Sequence, residues 1–156
     1  ENINCFFENC YIEGTTDFIF GSGRADFISC TIHSKKDSYI TAASTCKGQE
    51  RGFTFLGCKL TAAEGVTKCY LGRPWRIYAQ TYFIDCELGG HIRSEGWHNW
   101  KKHEAEKTTR YAEYGSTGEG ANLSERVKWA KKLSEKKAQK WALETAVPEL
   151  EFTPVH

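Results

Sequence analysis

The stretch Phe7-Glu8-Asn9-Cys10-Tyr11-Ile12 returns as Phe27-Ile28-Ser29-Cys30-Thr31-Ile32, as Phe55-Leu56-Gly57-Cys58-Lys59-Leu60 and as Phe83-Ile84-Asp85-Cys86-Glu87-Leu88. The shared phrase is F-x-x-C-x-[IL], and its cysteines are 20, 28 and 28 residues apart. Each cysteine and the apolar residue two places on follow the period-two alternation of a strand. A phrase that recurs at this interval marks a stacked solenoid. Leucine-rich repeats would need far more leucine in a fixed frame. Helical repeats would need a 3.6-residue period, which is absent before about residue 101. The reading is therefore an all-β chain wound as a parallel β-helix, with successive turns about 4.8 Å apart. In such a coil the four cysteines form a core ladder and act as small hydrophobes.

Each turn has room for a second strand, with candidates Asp17–Phe20, Ser38–Ala43, Cys69–Arg73 and Gly90–Arg93. Asp17, Thr41 and Arg73 would then line one outer face. Asp17 and Arg73 would be two turns apart, roughly 10 Å between backbones. An extended arginine spans most of that gap.

The bulk properties fit one domain of 156 residues with a net charge of +1. That charge gives no pull toward nucleic acid. No apolar run has the length of a membrane span, and no basic-then-apolar leader is visible. The 7 cysteines (Cys5, Cys46 and Cys69 besides the ladder) contain no C-x-x-C pair. The 5 histidines form no metal-ligand motif, so neither metal nor cofactor is expected. The β-helix is read over residues 1–114, a C-terminal helical segment packed on it over 115–147, and a tail over 148–156. The helix is expected to open at Asn122-Leu123-Ser124-Glu125, with Asn or Ser as cap. Leu123, Val127, Ala130, Leu133, Ala138 and Trp141 would form its apolar face. Lys101–Arg110 reads as a charged loop.

Three features could carry chemistry: Asp17 within Gly14-Thr15-Thr16-Asp17-Phe18-Ile19-Phe20-Gly21, the phrase Leu71-Gly72-Arg73-Pro74-Trp75, and Gly96-Trp97 with Trp100 close behind. An arginine beside a carboxylate keeps it ionised and oriented, and such a carboxylate serves as nucleophile or general base. A structural salt bridge accounts equally well for Asp17 and Arg73, and core packing for each tryptophan. No G-x-S-x-G elbow, dinucleotide fingerprint or phosphate loop is present.

GTTDFIFGSGRADF and YLGRPWRIYAQT resemble the two most characteristic motifs of the pectin methylesterases (pectinesterases). HIRSEGWHNW resembles that family's glycine-tryptophan segment, and AEYGSTGEGAN followed by RVKW resembles its C-terminal segment. The likeness runs over most of residues 5–130. It implies a right-handed parallel β-helix and a secreted enzyme, extracellular or periplasmic, that removes methyl esters from the galacturonate residues of pectin without a cofactor. Asp17 matches the family's nucleophilic aspartate, Arg73 the arginine that holds it, and Trp75 a sugar platform. Phe20, Tyr78 and Trp97 match aromatic positions of the groove.

The family also carries a Q-D-T phrase upstream, which supplies the general acid/base and an oxyanion donor. This sequence has none, and only 16 residues precede Asp17. The family often has glutamine within the stretch that reads Thr41-Ala42-Ala43-Ser44 here. The resemblance thus implies a C-terminal portion of a pectinesterase that is inactive alone, with the N-terminal part of the domain supplied elsewhere. A non-catalytic, pectin-binding β-helix is the competing reading. A calcium-dependent lyase ranks last, for want of clustered carboxylates.

Overall fold

The computed structural model describes residues 3–146. The first turn runs through β1 (Asn4–Glu8), β2 (Tyr11–Gly14) and β3 (Ile19–Gly21). The second comprises β4 (Arg24–Ile28), β5 (Thr31–Ser34) and β6 (Tyr39–Ala43). The third comprises β7 (Phe53–Leu56), β8 (Lys59–Ala62) and β9 (Tyr70–Gly72). The fourth has β10 (Gln80–Ile84) and β11 (Glu87–Leu88), and a one-turn helix α1 (Ala105–Thr108) leads into β12 (Arg110–Tyr114). A two-residue strand, β13 (Lys131–Lys132), and helix α2 (Glu135–Ala146) follow. The strands stack in register as parallel sheets ordered β1-β4-β7-β10-β12-β13, β2-β5-β8-β11 and β3-β6-β9. These three faces make the parallel β-helix that the repeat foretold.

The repeated phrase is a corner as well as a strand. Its phenylalanine is the penultimate residue of one strand, its cysteine sits at the bend, and its Ile or Leu is the second residue of the next. The residue before each cysteine is left-handed: Asn9 (φ 53°), Ser29 (φ 50°), Gly57 (φ 60°) and Asp85 (φ 51°). Asn, Asp and Gly tolerate that conformation best. The ladder of hydrogen bonds continues through the corner, since the N–H groups of Asn9, Ser29 and Gly57 donate to Ile28, Leu56 and Ile84 carbonyls, each at 3.0 Å. The expected cysteine ladder is present, and every cysteine is free. The Sγ atoms of Cys30, Cys58 and Cys86 lie 3.4–3.5 Å from the carbonyl oxygens of Phe7, Phe27 and Phe55.

Inside the coil the phenylalanines of the phrase stack face to face. Ring centroids are 4.9 Å apart for Phe7–Phe27 and 4.5 Å for both Phe27–Phe55 and Phe55–Phe83. One step further the same register position is Glu113. A carboxylate ending an aromatic column needs a partner. Arg126 meets it at 2.8 and 2.9 Å through two nitrogens, with both side chains almost fully buried. The same guanidinium donates to the carbonyls of Arg93, Ser94 and Gly120. This clamp ties the C-terminal segment to the loop after β11.

That clamp explains the largest departure from expectation. No helix opens at Asn122. Asn122 instead caps a single 3-10 turn over Leu123–Glu125 by accepting from Ser124 N–H at 3.0 Å. Residues 127–130 form a turn, with Ala130 N–H donating to Val127 O at 3.1 Å, and the segment is pinned by Arg126 and by β13 pairing with β12, so tertiary pairing overrides the helical spacing. The helix begins only at Glu135, capped by Ser134 Oγ, which accepts from Lys137 N–H at 3.3 Å. It lays Ala138 and Trp141 on the outer face of the six-stranded sheet, where Trp141 meets Tyr82 edge-on at 6.0 Å. Ser134→Ala is expected to cost about 1 kcal/mol, read as a lower thermal midpoint. The tail expected at 148–156 lies outside the described residues. Two smaller expectations also change. Lys101–Arg110 contains a helical turn, and Gly90–Arg93 contributes a single bridge, Cys69 to Ile92, in place of a strand.

Candidate active site

The three-stranded sheet carries the site. Ile19, Thr41 and Gly72 lie in one register column, with β6 between β3 and β9. Asp17 comes just before β3, not within a strand as expected. It sits in the left-handed region (φ 50°), and its N–H donates to Tyr39 O at 2.8 Å. Arg73 comes just after β9, with its N–H on Thr41 O at 3.0 Å. From two turns away its side chain returns to Asp17. Arg73 Nε donates to Oδ1 at 3.0 Å and an Arg73 terminal nitrogen to Oδ2 at 2.6 Å. The pair is bidentate, the strong form of such a contact. The side chains keep 13% and 17% exposure for Asp17 and Arg73, so the carboxylate is shielded yet reachable from solvent.

The guanidinium is held between two aromatic faces. Arg73 Cζ lies 3.8 Å from the centre of the Tyr39 ring and 3.6 Å from that of Trp100. A desolvated cation over an aromatic face gains about 2 kcal/mol. Trp75 and Phe20 lie beside this pair, 49% and 64% exposed, stacked at 5.8 Å and 21°. Trp100 meets Trp75 edge-on at 6.0 Å. Lys102 Nζ donates to the carbonyls of Pro74 at 3.0 Å and Trp75 at 2.7 Å, which fixes the loop that presents the indole. Two large apolar rings are thus left exposed side by side.

The remaining expected residues divide. Tyr78 is half-buried, and its ring faces Lys47 Nζ at 5.8 Å. Trp97 does not line the surface. It is 1% exposed and stacks on Tyr111 at 4.3 Å. It lies inside because a bridge to Gly72 continues the sheet, and a Cβ at Gly72 would come within 3.2 Å of its ring and collide with Thr41 Oγ1. Its role is to back the strand that carries Arg73. Thr41 is likewise buried, donating to Leu71 O at 2.9 Å, and does not join the outer face. Sequence reasoning missed Tyr39, His98 and Lys102. Tyr39 lies within the candidate strand Ser38–Ala43, two positions before Thr41, and His98 follows Gly96-Trp97 directly. Nothing in the sequence marks Lys102, whose partners are backbone oxygens.

Asp17's charge is felt inside the coil. Burial first, and then the Asp17 carboxylate, push the Tyr111 phenol well above its ordinary value. Tyr111 therefore stays protonated behind Trp97. A cavity of about 520 Å³ lies elsewhere, between β12, β13 and residues 123–130. The Glu113–Arg126 pair on its wall is already mutually neutralised, so it supplies no reactive group. Among the described residues no group of three His, Cys, Asp or Glu side chains could hold a metal ion.

The fold and this site define a parallel β-helix protein with a carboxylate–guanidinium pair beside an exposed aromatic platform. The chain belongs to the pectinesterase family, whose model matches residues 2–149. It is 39% identical over 134 residues to Pectinesterase 31 of Arabidopsis thaliana, covering 85% of this chain and 42% of that protein. Among solved structures it resembles pectin methylesterase from carrot, with TM-score 0.81, 29% identity, 94% of this chain and 54% of that one. It also resembles pectin methylesterase from Aspergillus niger, with TM-score 0.78, 31% identity, 84% of this chain and 44% of that one. The chain spans about two fifths of the length of the curated relatives it matches.

Proposed function

We propose that this chain is the part of a secreted pectin methylesterase that carries its nucleophile. One observation supports this above all: the bidentate Asp17–Arg73 pair beside the Phe20–Trp75 platform. Arg73 keeps Asp17 ionised and takes one lone-pair direction on each oxygen. Each carboxylate oxygen has a second direction free for attack. An Asp17 oxygen attacks the ester carbonyl of a methylated galacturonate, the tetrahedral adduct collapses and methanol leaves. Water then cleaves the resulting acyl-aspartate to the free uronate. Trp75 and Phe20 hold sugar rings by their apolar faces. The proton for methanol and the donors for the oxyanion come from a Q-D-T phrase outside this sequence. This chain alone is then inactive.

The exposed aromatics favour a second reading as a polysaccharide-binding β-helix. Methanol release from methylated polygalacturonate by the full-length protein separates the two. Turnover is expected; binding of the polymer with no methanol formed would replace the esterase reading with the binding one.

A further inference from the structure

We propose that His98 is a positioning residue for the Asp17–Arg73 pair, holding Trp100 against Arg73 only while its Nδ1 is a hydrogen-bond acceptor. The proposal rests on the reading of that pair as the reacting one. Trp100 and Lys101 are consecutive left-handed residues, at φ 54° and 56°. Two such non-glycine residues in a row need external support. It comes from side chains two residues back, since Trp100 N–H donates to His98 Nδ1 at 2.9 Å and Lys101 N–H to Asn99 Oδ1 at 2.9 Å. His98 is itself anchored. Its N–H donates to Gly72 O at 3.1 Å, and its ring stands edge-on to Tyr39 at 5.5 Å and to Tyr70 at 5.2 Å. One imidazole therefore touches the Tyr39 face of the guanidinium sandwich and fixes the backbone of the Trp100 face.

The bond dictates the protonation state. Accepting at Nδ1 requires the neutral ring with its proton on Nε2. The charged and titratable groups around it agree. Arg73, Arg93 and Lys101 are cations, Glu95 lies on the wall of the adjoining cleft, Asp17 is taken up by Arg73, and the rings of Tyr39 and Tyr70 pack against the imidazole. Burial first, then Arg73, Arg93 and Lys101, lower the His98 pKa below its ordinary value. The grip is thus complete above about pH 6.5 and fails as pH falls through the lowered value. Protonation then places an N–H against the Trp100 N–H and a cation beside Arg73.

The test is a pH titration of the full-length protein by nitrogen-15 NMR, following the His98 ring nitrogens and the Arg73 Nε–H. His98 Nδ1 is expected to be unprotonated at neutral pH. The Arg73 Nε–H signal should shift on acidification with the His98 midpoint, below about 6.5. His98→Asn places an amide oxygen where Nδ1 was, so that shift should disappear while the neutral-pH signal stays. His98→Leu should weaken or exchange-broaden the Arg73 signal at every pH. In methanol release, His98→Leu should lower kcat about tenfold to 100-fold with KM little changed. His98→Asn should retain kcat and lose the His98 step of the acid limb. An Arg73 signal that His98→Leu leaves untouched, or that shifts in His98→Asn as in wild type, overturns the proposal. A full-length protein that releases no methanol overturns the esterase reading alone, because the NMR comparison still decides His98.

Discussion

Asp17→Asn in the full-length protein is expected to reduce methanol release by about 10⁴-fold or more, the scale of losing a covalent nucleophile. The fold should survive. The amide oxygen still accepts from Arg73, whose guanidinium stays between Tyr39 and Trp100. The lost charge–charge contact involves partly shielded side chains, so the stability cost should be about 1–2 kcal/mol. KM should change little, because Trp75 and Phe20 are untouched. Asp26→Asn is the matched control. Asp26 is also paired with arginines, at 2.7 Å to Arg24 and 3.5 Å to Arg51, but on a different sheet. It should lower stability and leave kcat alone. An Asp17→Asn enzyme that turns over normally would falsify the nucleophile assignment.

The second large effect lies in the core. Phe55→Ala is expected to cost about 3–5 kcal/mol, lowering the thermal midpoint by roughly 10 °C for a chain of this size. Phe55 is fully buried and stacks on Phe27 and Phe83 at 4.5 Å each, so truncation removes two stacked contacts and opens a cavity across adjacent turns. Among the described residues Phe7 stacks on Phe27 alone, at 4.9 Å, and is partly buried. Phe7→Ala should therefore cost about half as much or less. Equal costs at the two positions would show that the column does not act as a ladder. Equilibrium unfolding of both variants makes the comparison.

Both predictions depend on geometry that the sequence conveyed unequally. The coil was legible because a parallel stack repeats one environment every turn, so Phe, Cys and Ile or Leu recur in place. The Asp17–Arg73 pair was legible for the same reason: counting turns put the two residues two strand spacings apart, and the motif resemblance singled them out. Trp97 and Trp100 show where that reasoning stops. Both follow Gly96 within a few residues, yet one lies under Gly72 in the core and the other covers Arg73. No local periodicity distinguishes them, because an irregular loop assigns inside and outside by its backbone turns. The left-handed pair Trp100–Lys101 makes that assignment here.

The C-terminal segment shows the same limit. Its helical spacing was real, but Glu113 takes the place of a phenylalanine at the end of the aromatic column and draws Arg126 into the coil. A buried carboxylate without a partner is costly, and that cost holds Arg126 in place and keeps residues 126–132 out of a helix. The sequence by itself determined the coiled architecture, its core ladder and the two charged residues of the site, because each follows from a repeat or a motif. Only the tertiary structure decided which aromatics face the ion pair, where the last helix begins and which side chain holds Trp100. Those depend on contacts between residues far apart in sequence, whose energies outweigh local preference.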